Sequence, residues 1–269
     1  FAVIYFHSGC GSLPEFHKLW ECVTDHAPCF YVASLPEEIG EFMPTSKLTA
    51  EQYQQLNDYF SRASEHNSYH MLLTIANVYF EKGKPAAPYE EIPFAGLFVN
   101  DEILDHKAEE EYLEQAGNTE KPVIGVVIHR SYIQSGNTKG VKALVEGIVQ
   151  EGAFPIPVFT TLSADAAKAQ SGVPYAMERY FVWNGKKLVN AIIVTTGFSL
   201  THMGYPDGCE GEFRSSMFEK WDVPVIQTAT TRYSAQQYET NSQGIDPMSL
   251  SSSVFQTEMD GQIITEDKG

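Results

Sequence analysis

Apolar and polar positions along residues 122–159 follow the order strand, helix, strand. The run from Val123 to Ile128 is short, β-branched and unbroken, which is typical of a strand covered on both faces. Apolar residues then recur at helical spacing from Val141 to Val149, and Pro155 to Phe159 forms a second apolar run. Gly152 stands where a left-handed residue would end the helix. This segment therefore predicts a βαβ unit.

The same alternation of strands and helices extends over most of the chain. Its further predicted elements are strands at 2–6, 29–33, 192–196, 224–228 and 263–264, and helices at 13–23, 105–115, 163–170 and within 49–80. Thr49 begins a capping-box pattern at the start of the last of these. The predicted fold class is α/β, with two Rossmann-like or flavodoxin-like domains that contain mostly parallel sheets.

Two domains are expected from the length of 269 residues, with a boundary near Gln115. Residues 1–115 would form an N-terminal α/β domain with a long helical segment, and residues 116–269 a Rossmann-like α/β domain. The chain opens inside an apparent strand without an initiator Met, so we expect a fragment of a larger multidomain subunit.

Parallel strands would bring several polar residues to one edge of the second sheet. The residues that follow the predicted strands there are His129-Arg130, Thr195-Thr196-Gly197 and Gln227-Thr228. Because ligands of open α/β sheets bind outside the carboxyl ends of the strands, a crevice at this edge is the predicted site.

The charge balance restricts the possible partners. With 18 basic and 35 acidic residues the net charge is −17, which argues against nucleic-acid binding and makes membrane association unlikely. Part of this charge, including the run from Glu109 to Glu111, is expected on a solvated helix face. No stretch approaches the ~20 apolar residues of a membrane span, and the four cysteines lack CxxC pairing. We therefore expect free thiols and a cytoplasmic location.

The loop after the first strand of the βαβ unit carries candidate chemistry. His129 can bind a metal ion or move protons, or it can fix loop geometry by hydrogen bonds. The forked donors of Arg130 suit a carboxylate, either on a substrate or on an internal acid. Ser135, Asn137 and Thr138 precede the helix, where they can bind an anion or simply cap the helix. The loop lacks both nucleotide-binding glycine motifs, so it does not predict a nucleotide site.

Two later segments hold further candidates. His202 lies in a glycine-bounded loop, where it can approach a metal ion or a flat ligand, or remain without a role. Glu258 and Asp260 stand two residues apart and can share one face of extended chain. Such carboxylates can hold a divalent cation or take protons from N–H groups, whereas a hairpin turn would account for Asp260 but not for Glu258.

Several ordered motifs resemble one protein family. PVIGVVIHRSYIQSGNTKGVKALVEGIVQEGAFPIPVF at 122–159 is similar to that family's strand, R-S/A-x-x-x-x-G-N-T loop, helix and return strand. SQGIDPMSLSSSVFQTEMDGQII at 242–264 resembles its segment ending P-E-x-D-G-x-I, with Thr257 in place of the proline. Residues 59–73 resemble its Y-L-x-x-G-G-x-x-N-x-x-x-L-L helix pair, with Ser64-Glu65 in place of the glycines, and 93–98 its P-x-x-G-I-Y element. The family comprises the large subunits of cobaltochelatase and magnesium chelatase, the CobN/Mg-chelatase family.

This resemblance implies a function and assigns roles. Family members insert a divalent metal into a tetrapyrrole, so cobalt, magnesium or iron and the tetrapyrrole would be substrates, and ATP would be used by AAA+ partner subunits. The family's acid corresponds to Glu258, implied to accept protons or deliver metal, with Asp260 assisting. By their chemistry, His129 and His202 are candidates to handle the metal, Arg130 to bind a macrocycle carboxylate and Phe198 to contact the flat ring, although the loop of His202 is variable in the family.

Three alternatives remain open at this stage. Similar large subunits found beside haem-uptake genes have been suggested to remove iron from haem, and these domains can instead form a binding module without catalysis. Two α/β lobes would also suit a periplasmic-type small-ligand receptor that closes about a hinge. The isolated fragment is expected to be inactive, because the family's site is completed by later domains.

Overall fold

The computed structural model describes residues 3–7, 22, 29–33, 49–62, 64–80, 84–161, 172–196, 218–231, 235–240 and 261–266. The chain forms two compact units. One contains Phe1–Ile92 with Gln134–Gly136, and the other contains Pro93–Ile133 with Asn137–Gly269. Among the described residues, no helix combines the length and apolar character needed to cross a membrane.

The first unit combines a small parallel sheet with two helices. Strands β1 (Val3–His7) and β2 (Cys29–Ala33) pair in parallel, close to their predicted bounds. Helices α1 (Ala50–Ser61) and α2 (Glu65–Phe80) follow. The predicted capping box is confirmed, because the Thr49 hydroxyl accepts from the backbone N–H of Gln52 and the Gln52 side chain accepts from that of Thr49.

The second unit is built on a seven-stranded sheet in the order β11-β10-β9-β5-β6-β3-β4. Its strands are β3 (Ala95–Val99), β4 (Glu102–Ile103), β5 (Val123–His129), β6 (Phe154–Thr160), β9 (Ala191–Val194), β10 (Val225–Thr231) and β11 (Gly261–Glu266). The five strands from β11 to β6 are mutually parallel, and β3 and β4 continue the sheet in antiparallel fashion. The α/β class with a mostly parallel sheet is thus confirmed.

Helices alternate with these strands along the chain, and apolar side chains from strands and helices together form the core of the unit. The helices are α3 (His106–Asn118), α4 (Arg130–Gln134), α5 (Lys139–Gln150), α6 (Val173–Tyr180) and α7 (Ala235–Thr240), with a 3-10 turn at Glu219–Trp221 and a hairpin of β7 (Val182–Trp183) and β8 (Lys186–Lys187). The predicted end of α5 is correct: Gly152 has φ +82°, and the Gly152 and Ala153 amides donate to the carbonyls of Val149 and Ile148. This is the Schellman arrangement.

Two expectations need correction. The units divide before β3 and not near Gln115, because Gln115 lies inside α3, which follows a strand of the second sheet. Glu110 and Glu111 are exposed as expected, but Glu109 is buried, because it shares the inward stripe of α3 with Leu113 and Ala116. The predicted helices at 13–23 and 163–170 lie outside the described residues.

Candidate functional site

The order of the parallel strands determines where a ligand would bind by the general rule for open sheets. From β5 the chain moves to β6 on one side and then to β9 on the other, so the winding direction reverses between β5 and β9. This is the flavodoxin-like order, in which ligands bind at the carboxyl ends of the strands beside the reversal. Here β5 ends at His129 and β9 ends at Val194.

The face of the sheet that packs under α6 changes from apolar to polar at this edge. Val158, Val127 and Val194 are aligned across β6, β5 and β9 and are fully buried. One step further along the same face come Thr160 and His129, which are register partners.

Thr196 extends this polar row on the other side of His129. The pairing of β9 with β5 continues past Val194, since the Thr195 amide donates to the Val127 carbonyl over 2.9 Å. Thr196 therefore shares the face of Val194 and reaches the level of His129. We call Thr160, His129 and Thr196 the rim row.

The two threonine hydroxyls of the rim row are buried and have no hydrogen-bond partner among the described residues. Thr160 is 1% exposed and Thr196 is 2% exposed, and the Oγ1 atom of each is unpaired within the part of the chain that the structure describes. The neighbouring Thr195 differs, because its hydroxyl donates to the Val127 carbonyl over 3.0 Å. Buried polar atoms are nearly always paired in folded proteins, so two orphans flanking one histidine need an explanation.

The His129 ring is held by the residue two positions later. Its Nδ1 lies 2.6 Å from the Ser131 hydroxyl and accepts from the Ser131 backbone N–H over 3.3 Å. Burial, and secondarily the charge of Arg130, lower the pKa of His129 below its ordinary value, so the neutral ring is favoured. With Nδ1 accepting, the ring proton is on Nε2. Metal binding through Nε2 requires the other tautomer, in which the Ser131 hydroxyl can accept from Nδ1.

Arg130 is buried at the start of α4. Its Nε donates to the Pro93 carbonyl over 2.8 Å, and its guanidinium carbon lies 4.7 Å from the centre of the Phe94 ring. These contacts fix the chain just before β3. The positive charge is nevertheless close enough to His129 to influence its protonation.

The predicted anion-binding loop is exposed and does not cap its helix with a side chain. Ser135 and Asn137 are exposed, Thr138 is half-buried, and the Thr138 hydroxyl makes no capping hydrogen bond to α5. Gly136 has φ +68°, a conformation that glycine adopts without strain. Their role in ligand binding stays a prediction.

Four other candidates, Phe198, His202, Glu258 and Asp260, lie outside the described residues. In the sequence, both acids come just before Gly261, the first residue of β11. That Glu258 and Asp260 share a crevice with His129 therefore stays a prediction. Among the residues that the structure does describe, no group of three or more His, Cys, Asp and Glu side chains could hold a metal ion.

Sequence reasoning did not select Thr160 as a candidate. Its signal is the same as that of His129, a polar residue that directly ends a buried apolar strand.

A cavity of about 700 Å³ was also not anticipated. It lies beside Val123, the first residue of β5, and thus at the amino edge of the sheet, with Trp183, Lys186 and Glu114 among its lining residues.

The fold and the rim row define the class of protein as a doubly wound α/β module of flavodoxin-like strand order, with a row of polar residues at the carboxyl ends of the strands beside the reversal point. Comparison with known proteins gives a more specific assignment. The family model described as CobN/Magnesium Chelatase matches residues 57–266. The chain therefore belongs to this family, as the resemblance of its motifs predicted.

Individual relatives agree with this assignment. The aerobic cobaltochelatase subunit CobN of a Sinorhizobium species is 26% identical over 228 residues, which cover 82% of this chain and 16% of that protein. The magnesium-chelatase subunit ChlH of Oryza sativa is 30% identical over 145 residues, or 52% of this chain and 10% of that protein. The chain thus spans only a small part of its curated relatives.

A solved structure shows the same fold. The catalytic subunit of cobaltochelatase from Mycobacterium tuberculosis superposes with a TM-score of 0.65 at 19% sequence identity. The match covers 98% of this chain and 20% of that one.

Proposed function

We propose that the whole protein containing this chain is a chelatase that inserts a divalent metal ion into a tetrapyrrole ring, and that this chain forms part of its large ring-binding subunit. The observation that carries the proposal is the family match over residues 57–266, supported by relatives named as cobaltochelatase and magnesium-chelatase subunits. Cobalt, magnesium and iron are the candidate metal substrates. We also propose AAA+ ATPase partner subunits and a cytoplasmic location.

Metal insertion sets clear chemical requirements. Two pyrrole protons must leave, the ion must lose its water, and the ring must bend so that its nitrogens reach the metal. A carboxylate can accept a pyrrole proton or present the ion, and a neutral imidazole can relay a proton or ligate a borderline metal. His129 can supply the neutral imidazole, since burial and the charge of Arg130 lower its pKa and favour the neutral form.

The family motif suggests the role of the acid, and the chemistry of the side chains suggests the other roles. Glu258 is proposed as proton acceptor or metal-delivering ligand, with Asp260 assisting or shaping the turn. His202 is proposed as a second metal handler beside His129, and Phe198 as a contact for the flat ring.

Anionic groups at the edge of the ring need cationic or donor partners. Arg130 is proposed to act on a macrocycle carboxylate through its charge, and Ser135, Asn137 and Thr138 are proposed donors to such groups. The burial of Arg130 against Pro93 and Phe94 strengthens its electrostatic effect, because a charge in a low-dielectric environment is poorly screened.

The test is the Glu258→Gln variant of the whole protein. If Glu258 accepts protons or delivers the metal, this variant should lose turnover and keep its tetrapyrrole affinity, because glutamine keeps the shape of glutamate but accepts protons poorly. Glu110→Gln is the matched control, since Glu110 is an exposed carboxylate of α3 and its loss should leave both quantities unchanged. Loss of affinity alone would instead indicate a binding module.

The substrate and the direction of the reaction need a second measurement. The whole protein is titrated with several free-base and metallated tetrapyrroles, and metal uptake and release are followed by absorbance in the same cuvette. A band shift with one free base followed by metal uptake supports insertion, whereas release of iron from haem would assign the reverse reaction. Absence of any spectral response would contradict the proposed function.

A further inference from the structure

We propose that the rim row binds a carboxylate, with the Thr160 and Thr196 hydroxyls and the Nε2–H group of His129 as its three donors. The inference rests on the proposed function, because the carboxylate we expect is a side chain at the edge of the tetrapyrrole. It adds two residues, Thr160 and Thr196, that neither the sequence motifs nor the comparisons assign.

The first argument is the unsatisfied state of the two hydroxyls. Each is at least nine-tenths buried, at 1% and 2% exposure, and the described residues offer it no hydrogen-bond partner. A buried hydroxyl without a hydrogen bond destabilises the fold, so a valine of the same shape would be the more stable choice on structural grounds alone. The threonines are explained if a ligand supplies the missing partner.

The second argument is their placement. Thr160 and His129 are register partners on neighbouring parallel strands, and Thr196 occupies the corresponding level beyond β9. Register partners in a parallel sheet present their side chains to the same face, so Thr160 and His129 lie side by side, and the alternation of side chains after Val194 brings Thr196 to that face. They stand beside the reversal point of the sheet, where ligands of this fold class bind.

The third argument is the direction of the available hydrogen bonds. A backbone N–H can only donate, and the Ser131 amide donates to Nδ1 of His129. Neutral His129 therefore carries its proton on Nε2, for which the described residues offer no partner. Two hydroxyls and one imidazole N–H form a set of donors that suits an anionic oxygen group.

The fourth argument is charge. Arg130 adds a cation next to His129, which favours an anionic oxygen group close to this row. Hydrogen bonds to an ionised carboxylate are shorter and stronger than those between neutral groups, so each hydroxyl should contribute measurably. The carboxylate can come from the macrocycle or from a free organic acid.

The experiment compares Thr160→Val and Thr196→Val in the whole protein. Binding is measured by absorbance titration with a porphyrin bearing two propionate side chains and with the same porphyrin amidated with ethanolamine. We expect each variant to bind the free acid about tenfold or more weakly than the wild type, and the amide equally well. Neither variant should have a lower melting temperature, because valine removes an unpaired hydroxyl.

Thr195→Val is the matched control. Its hydroxyl already has a partner in the Val127 carbonyl, so this variant should lose some stability and retain the affinity for the free acid. A loss of affinity as large as that of the rim-row variants would attribute their effect to disturbance of the sheet edge and overturn the inference.

The other outcomes separate the inference from the proposed function. If the wild type binds both porphyrins and the variants lose neither or both equally, the inference is overturned and the proposed function stands. If the wild type binds neither porphyrin, the proposed function and the macrocycle carboxylate are both overturned. A rise in melting temperature with free propionate that the variants lose would then assign the row to a free acid, and a rise with Mg²⁺ or Co²⁺ alone that the variants lose would overturn the inference in favour of a cation.

Discussion

The hydroxyl of Tyr180 on α6 donates a 2.9 Å hydrogen bond to Oε1 of Glu109 on α3, inside the core of the second unit. The same oxygen accepts from the Leu97 amide of β3 over 3.4 Å, and Oε2 lies 3.7 Å from the Arg179 guanidinium. One buried carboxylate thus connects two helices to the edge of the sheet. Breaking a buried charged network is among the few single changes that destabilise a domain strongly.

We predict that Tyr180→Phe lowers the free energy of unfolding by about 1–3 kcal/mol, because Glu109 loses a donor that water cannot replace at 7% exposure. Urea unfolding followed by circular dichroism measures the change. Tyr175→Phe on the same helix is the control: Tyr175 is half-buried, and its hydroxyl should be worth less than about 0.5 kcal/mol. Equal losses in the two variants would contradict a special role for the Glu109 contact.

The same tyrosine predicts how stability depends on alkaline pH. Burial, followed by Glu109, raises the pKa of Tyr180 above its ordinary value of 10.0, so the folded state holds a proton that the unfolded state releases. This stability is fully present below about pH 10 and decreases as the pH rises further. Unfolding curves recorded on both sides of about pH 10 should show a shallower decline for Tyr180→Phe than for the wild type. Parallel declines would show that Tyr180 does not titrate differently in the two states.

Packing at the centre of the sheet yields a third prediction. A methyl group at Gly125 on β5 would lie 2.5 Å from the Phe181 ring, which is fully buried. Gly125→Ala should therefore destabilise the second unit by about 1–3 kcal/mol, and the added Phe181→Leu change should recover part of this loss in the double variant. Thermal unfolding of the single and double variants measures both effects.

Gly147→Ala is the control for the glycine change. Gly147 lies inside α5, and a methyl group there has nothing within 4 Å. Alanine should stabilise this helix by about 0.5–1 kcal/mol, because glycine loses more backbone entropy on folding. If both alanine variants stabilise the protein, the close contact between Gly125 and Phe181 is wrong.

The five parallel strands of the second unit were predictable because their apolar runs are short and bounded by polar residues, whereas the antiparallel strands β3 and β4 and the hairpin of β7 and β8 were not predicted. The position of His129 followed from the same pattern, since it directly ends β5. The burial of Glu109 did not, although its spacing from Leu113 and Ala116 is helical. Its main partner, Tyr180, lies 71 residues away, and no local pattern indicates such a pairing.

The sequence alone also gives little reason to select Thr160. A threonine at the end of a strand is ordinary, and only the register with His129 and the missing hydrogen bond make it a candidate. Local periodicity thus identifies which residues reach the sheet edge. It does not reveal which of them are satisfied there, because that depends on contacts between segments distant in the chain.

Asn67 on α2 gives the last prediction. Its Nδ2 donates to the carbonyls of Arg62 and Glu90, and its Oδ1 accepts from the Glu90 amide, each over 2.8 Å. The side chain is fully buried, so all three bonds are shielded from water. This explains physically why the helix-pair motif carries an asparagine: only an amide can donate to the carbonyls and accept from the amide at once.

Asn67→Ala should lower the free energy of unfolding by about 1–3 kcal/mol and speed hydrogen exchange at the Glu90 amide. Asn67→Asp should be at least as harmful, because a carboxylate would face two carbonyl oxygens without a proton to donate. Asn77→Ala is the matched control. Asn77 donates a 3.0 Å hydrogen bond to the carbonyl of Lys84, at the other end of the segment 84–90 from Glu90. Exchange at Glu90 that responds equally to Asn77→Ala would mean that the segment opens as a whole, and that Asn67 does not specifically hold the Glu90 backbone.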